Sequence, residues 1–156
     1  MKSSSLRPAI SPESNVSDRR SGDLWIAVLP LKVQASDSEL EVFSESLVDD
    51  VTAGLARFPH LRVIARNSAF AYKGRSPDVR AVGRELGARY VVEGSARKSG
   101  TLIRVNIQLI DASSGANLWG ECYERKLSEL NMFRMQDGLT DSIVTTVADD
   151  DRTNAP

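Results

Sequence analysis

Arg89-Tyr90-Val91-Val92-Glu93-Gly94-Ser95-Ala96-Arg97, followed by Lys98-Ser99-Gly100-Thr101 and Leu102-Ile103-Arg104-Val105-Asn106-Ile107-Gln108-Leu109-Ile110, decides the architecture. The first segment reads as a strand and the second as a tight turn. In the third, Ile103, Val105, Ile107 and Leu109 alternate with Arg104, Asn106 and Gln108, the period-2 pattern of a strand with one dry and one wetter face. Asp111-Ala112-Ser113-Ser114-Gly115 has turn chemistry: Asp and Ser bond nearby backbone, and Gly accepts positive φ. Leu118-Trp119-Gly120-Glu121-Cys122-Tyr123 returns as a third strand. A three-strand antiparallel meander is therefore predicted, with helices on either side in sequence to cover it.

Upstream, Leu24-Trp25-Ile26-Ala27-Val28-Leu29 is a short apolar run ended by Pro30, as expected of a strand buried on both faces. A helix follows, capped by Asp37 or Ser38, with Glu39 and Glu41 in its first turn where the helix dipole favours acids. Its predicted buried stripe is Leu40, Phe43, Leu47, Val51, Leu55 and Phe58, stopped by Pro59. Leu61-Arg62-Val63-Ile64-Ala65 is a second strand, parallel to the first through the intervening crossover. Asn67 or Ser68 is expected to cap a short turn carrying Phe70 and Tyr72. Ser76-Pro77 is expected to open another helix, with Pro in the first helical position and Gly87 at its end. A last helix, capped by Ser128 and running to about Ala148, presents Leu130, Phe133, Leu139, Ile143 and Val147. Gly54 and Gly138 interrupt their helices.

The order β-α-β-α-α-β-β-β-α predicts an α/β fold, a layered sandwich around a five-stranded mixed sheet whose fourth strand, Leu102–Ile110, is antiparallel. Residues 1–22, rich in Ser, Pro and Arg, are expected to be a disordered tail or linker. Residues 23–148 form the domain, and 149–156 a second polar tail.

The 156 residues carry a net charge of −1, so no overall field points to nucleic acid or membrane. Locally, residues 57–104 hold nine Arg and two Lys against three acids, while 23–53 and 105–151 are acidic. Mutual neutralisation within the fold is the plainer reading of that pattern; a basic patch that meets phosphate or an acidic partner is the other. Cys122 is the only cysteine, which excludes an intramolecular disulfide and a cysteine metal cluster. Without an apolar span or secretory leader, the expected location is cytoplasmic.

No catalytic constellation emerges. His60 is the only histidine and is expected at the surface or half packed. Asp49 and Asp50 are adjacent and point about 100° apart on a helix. Gly83-Arg84-Glu85-Leu86-Gly87 reads as a helix end, and Cys122 as a small buried hydrophobe. The unusual string is Val63 to Gly74, just beyond the carboxyl end of a strand, where ligands bind in open α/β sheets. Arg66, Asn67, Ser68 and Lys73 are the candidate ligand-binding residues, with donors suited to an anion. The plainer reading of Asn67 and Ser68 is capping, with Phe70 and Tyr72 stapling the turn to the sheet. No metal site and no cofactor are expected.

Ile26-Ala27-Val28-Leu29-Pro30, Phe43 to Phe58, Leu61 to Ser68, Tyr72-Lys73-Gly74, Val82 to Gly87, Tyr90 to Ser95, Gln108 to Ala112, Gly115 and Leu118-Trp119 are similar to bacterial TolB-like domains. The resemblance covers about residues 24–147. It implies the fold of the TolB amino-terminal domain. It also implies neighbours: such domains commonly follow a class III adenylate/guanylate cyclase or winged-helix DNA-binding domain and precede tetratricopeptide repeats. The loop after Pro30 is shorter than that family's, and the cyclase's metal-binding aspartates have no counterpart among these residues.

The resemblance therefore implies a non-catalytic accessory domain, ligand-sensing or protein-docking, of a bacterial signalling protein. The expected partner is an adjacent cyclase, winged-helix or repeat domain, or a small ligand. The alternatives are a fragment of a nucleotide cyclase and a nucleic-acid-binding module using residues 57–104.

Overall fold

The computed structural model describes residues 23–34, 37–126 and 132–153, with only the backbone given for 132–136 and 153. The described elements are β1 (Leu24–Val28), β2 (Lys32–Val33), α1 (Ser38–Leu55), β3 (Leu61–Val63), α2 (Arg66–Phe70), α3 (Val79–Leu86), β4 (Tyr90–Ser99), β5 (Leu102–Asp111), β6 (Ala116–Lys126) and α4 (Met132–Thr153). The sheet runs β3-β1-β4-β5-β6, with β2 paired to β4. β1 lies parallel to β3 and β4, whereas β5 is antiparallel to both of its neighbours. The mixed sheet with Leu102–Ile110 as its antiparallel member is thus formed as expected.

β2 has no counterpart in the sequence reading, which left Lys32 and Val33 in a loop. Pro30 brings no N–H to the ladder, yet the chain rejoins β4 just beyond it, pairing Lys32 with Ser95 and Val33 with Ala96.

The main core lies on one face of the sheet, where Leu40, Leu47, Val51 and Leu55 of α1 and Leu139, Ile143 and Val147 of α4 meet Ile26, Val28, Tyr90, Val92, Ile103, Val105, Ile107 and Leu109. A smaller cluster on the opposite face joins Ala69, Tyr72 and Val82 to Leu29, Val91 and Ala112. α2 and α3 thus cover the second face only near β1 and the start of β4.

Several helix boundaries differ from expectation. Asp37 is the α1 cap, its Oδ1 accepting from the Leu40 N–H at 3.0 Å. That hydrogen bond, helped by Lys98, holds the Asp37 carboxyl below its ordinary range. α1 ends at Leu55 rather than at Pro59, because Arg57 and Phe58 bond back to the carbonyls of Gly54 and Leu55 in tighter turns. Phe58 is carried off the buried stripe and is 37% exposed.

α2 starts at Arg66 with Ala65 at its cap and no side-chain cap bond, so neither Asn67 nor Ser68 caps it. The Ala65 carbonyl already receives the N–H groups of Ser68 and Ala69, which places those two polar residues inside the first turn. α3 starts at Val79, and Pro77 is not in its first helical position. Asp78 takes the cap instead, accepting from the Arg80 N–H at 3.0 Å. Gly87, at φ 70°, ends α3 as expected. α4 continues to Thr153, past Ala148, because Asp150 near its end accepts from the buried Tyr90 hydroxyl at 2.8 Å. The predicted Ser128 cap, Leu130 and the Phe133 side chain fall outside the described residues.

Candidate functional site

α1 presents Glu41, Glu45 and Asp49 four residues apart, a spacing that stacks them on one helix face. α2 and the turn after it run alongside. Arg66 Nε meets Asp49 Oδ1 at 2.6 Å, and its Nη2 lies 3.8 Å from Glu45 Oε1. Lys73 Nζ meets Glu41 Oε1 at 3.3 Å and also donates to Glu45 Oε2. The Arg66 guanidinium sits 3.9 Å above the centre of the Phe70 ring, a cation–π contact. The hydrogen bond between Lys73 and Glu45 raises the pKa of the ammonium and lowers that of the carboxyl.

Arg66 and Lys73 are therefore brought together, but around acids. Asn67 and Ser68 are exposed. The three carboxylates were missed as partners; their i, i+4, i+8 spacing was the available signal. Each pair is 34–45% exposed at its side chains, so the ladder orients α2 and contributes little stability.

Beneath the ladder, Leu31, Val33, Ser44, Val48, Phe70 and Lys73 line a cleft with a cavity of about 10 Å³, the room of a single water. Ser44 Oγ is buried there without a hydrogen-bond partner among the described residues.

A larger polar surface lies on the second face of β4, β5 and β6, which no described helix covers. The register sets Glu93, Gln108 and Gly120 in one row, Ser95, Asn106 and Cys122 in the next, and Arg97, Arg104 and Glu124 in a third. Arg104 grips Glu124 Oε2 with Nε at 3.0 Å and Nη2 at 2.6 Å, while Arg97 stands directly across from Arg104. Opposed like charges weaken a sheet, and Glu124 offsets the Arg104 charge here. Cys122 is exposed here rather than buried, since the register places it opposite Asn106 on the uncovered face. Arg104, Asn106 and Gln108 were readable as the wet face of their strand. That no described helix returns over them was not.

Elsewhere Arg62 pairs with Asp23, Lys98 with Asp37 and Glu39, and Arg89 with Asp150 and Asp151. With Arg66, Lys73 and Arg104, six of the eleven bases of the basic segment thus find counterions in the two acidic ones, so neutralisation within the fold is partial. Asp111 is a turn acid, accepting from the N–H and the hydroxyl of Ser113. His60 is exposed. Among the described residues no three His, Cys, Asp or Glu side chains converge as a metal site, and no helix is long and apolar enough to cross a membrane.

A mixed sheet with one antiparallel strand, two long helices on one face and two short ones on part of the other, defines a TolB-like α/β domain. TolB from Acinetobacter baumannii has this fold, with a TM-score of 0.58 and 19% identity over 80% of this chain and 28% of that one. So does lipoprotein GNA1162 from Neisseria meningitidis, with a TM-score of 0.53 and 15% identity over 81% of this chain and 99% of that one. At sequence level, residues 22–142 match the second domain of HilA/YgeH-like transcriptional regulators, and the chain belongs to that family. It is also 46% identical over 122 residues to putative adenylate cyclase 3 of Rhizobium meliloti (strain 1021). That alignment covers 78% of this chain and 20% of the relative, so the chain spans about a fifth of the relative's length.

Proposed function

We propose that this chain is a non-catalytic accessory domain of a bacterial cytoplasmic signalling or regulatory protein, which docks an adjoining domain. The observation that carries this reading is the coverage. One compact unit recurs as the second domain of a transcriptional-regulator family and as about a fifth of a protein named an adenylate cyclase. A unit shared by proteins with such different names is suited to holding or orienting their other domains. The adjoining domain would be of cyclase, winged-helix or tetratricopeptide-repeat type.

The uncovered face of β4–β6 supplies the contact surface in this reading. Its Ser95, Asn106 and Gln108 offer hydrogen bonds, and Arg97, which has no ion pair among the described residues, offers a partner carboxylate a cation beside the Arg104–Glu124 pair. Arg66, Asn67, Ser68 and Lys73 take a secondary place, because an acidic segment binding there must displace Glu45 and Asp49. Nucleic acid is a less favoured partner, since six of the eleven bases of the basic segment, Arg62, Arg66, Lys73, Arg89, Lys98 and Arg104, are already paired with acids.

Two measurements test the proposal. Incubated with ATP or GTP and magnesium or manganese, the chain is expected to form no cyclic nucleotide; product above the protein-free control overturns the non-catalytic reading. When the domain encoded beside it is added as a separate chain, amide resonances of Ser95, Arg97, Arg104 and Asn106 are expected to shift. Shifts confined to α1 and α4 would reject the β4–β6 surface.

A further inference from the structure

The sheet ends on β6, at eleven residues the longest described strand, with β5 as its only described strand partner. The opposite edge, β3, has three residues. A long edge leaves a row of unpaired backbone N–H and C=O groups, a template for another strand. Natural edges are usually blunted by charge, and β6 carries Glu121, Glu124, Arg125 and Lys126 on its exposed outer half. The order of those charges decides whether they repel a second copy or select it.

In an antiparallel pair related by a two-fold axis, residues equally distant from the axis face each other on the same side of the sheet. With the axis at Glu121 or at Glu124, identical carboxylates oppose, and at Arg125 identical guanidiniums do. With the axis at Tyr123, Glu121 of each copy faces Arg125 of the other, twice. The same register sets Tyr123 against Tyr123, Cys122 against Glu124 and Gly120 against Lys126, with no like charges opposed. Glu121 and Arg125 are both available for this pairing: among the described residues Glu121 has no ion pair and Arg125 donates only to the neighbouring Glu124 carbonyl at 2.9 Å. The irregularity in the β5–β6 ladder lies between Leu109 and Ile110, outside the seven residues 120–126 that would pair.

We propose that β6 pairs antiparallel with β6 of a second copy of this chain, centred on Tyr123 and selected by the two Glu121–Arg125 contacts. The two sheets then become continuous, and both uncovered faces lie on one side of the assembly. So short an interface makes a weak dimer that dissociates on dilution.

Sedimentation of the whole chain is expected to show a monomer–dimer equilibrium over about a hundredfold range of concentration. Arg125→Glu is expected to weaken it at least about tenfold, and Glu121→Arg combined with Arg125→Glu to restore it. Both positions are exposed, and unchanged thermal unfolding of each variant separates loss of pairing from loss of fold. In a Cys122→Ser background, Tyr123→Cys is expected to give a disulfide-linked dimer under mild oxidation, as directly opposed residues fall within bridging distance. A chain that stays monomeric throughout overturns the proposal. So does a dimer that is indifferent to Arg125→Glu, or one that links through Cys122 but not through position 123.

Discussion

Gly94→Ala is expected to destabilise the domain by about 4 kcal/mol or more, a large part of the ~5–15 kcal/mol by which a domain this size is usually stable. A Cβ on Gly94 would lie 2.0 Å from the Asn106 carbonyl oxygen and 3.1 Å from both its carbon and Ile107 Cδ1. The clash is with backbone, so no side-chain rotation relieves it. Gly94 faces Ile107 in the middle of the ten paired positions joining β4 to β5. Room for a methyl group there means parting the two central strands. Gly120→Ala is the matched control: it lies in the same sheet, opposite Gln108, and its Cβ would come no closer than 3.7 Å to the Ile107 carbonyl oxygen. That variant is expected to stay within about 1 kcal/mol of the parent. Urea unfolding followed by circular dichroism measures both, and equal midpoints for the two variants would show that β4 and β5 do not approach as closely as described.

The same glycine shows what was legible in the sequence. Glu93-Gly94-Ser95 lies in one of the strings that resemble TolB-like domains, and Gly83 in another, but neither string says why glycine is there. For Gly83 the reason is that α3 sits against the β5–β6 turn, where a Cβ would meet Ala112 Cβ at 2.5 Å and the Ala88 oxygen at 2.9 Å. Periodicity was enough to find β5 and the long helices, because each buries one regular set of apolar residues, and β1 was legible as a continuous apolar run because both of its faces are covered. It failed for β2, where two residues pair through backbone alone and leave no pattern. It failed for the starts of α2 and α3, where Asn67, Ser68, Ser76, Pro77 and Asp78 are all plausible initiators and tertiary geometry selects among them. The donors at Arg66 and Lys73 were visible as residue types, whereas their carboxylate partners lie 17 and 28 residues away in sequence and meet them only after the crossover. Cys122 was misplaced because being in a strand says nothing about which face of that strand is covered.

Alkaline pH is expected to destabilise the domain steeply from about pH 10, the ordinary tyrosine range, through two buried phenols. Tyr72, 7% exposed, donates to the Glu85 carboxylate, and burial followed by that acid pushes its pKa up to about 12. Tyr90 is fully buried and donates to Asp150; burial again comes first, followed by the carboxylate, and both raise its pKa. In each case the folded state favours the protonated phenol, while the unfolded chain releases its proton near pH 10. The stabilisation is therefore complete below that value and is lost as the pH rises toward 12. Each phenol that keeps its proton only when folded adds about 1.4 kcal/mol per pH unit to the slope. Lys73 and Lys98, whose acid partners raise their pKa values, push in the same direction, so the slope alone does not identify the tyrosines. Tyr72→Phe separates the contributions. It removes one hydrogen bond, costing about 1 kcal/mol at neutral pH, and one titrating group, so its stability should fall less steeply than the parent's above pH 10. Tyr90→Phe should do the same, with Asp150 still held by Arg89. Parallel slopes for the parent and both variants would mean that these phenols titrate alike in the folded and unfolded chains, which is incompatible with hydroxyls held in the core against carboxylates.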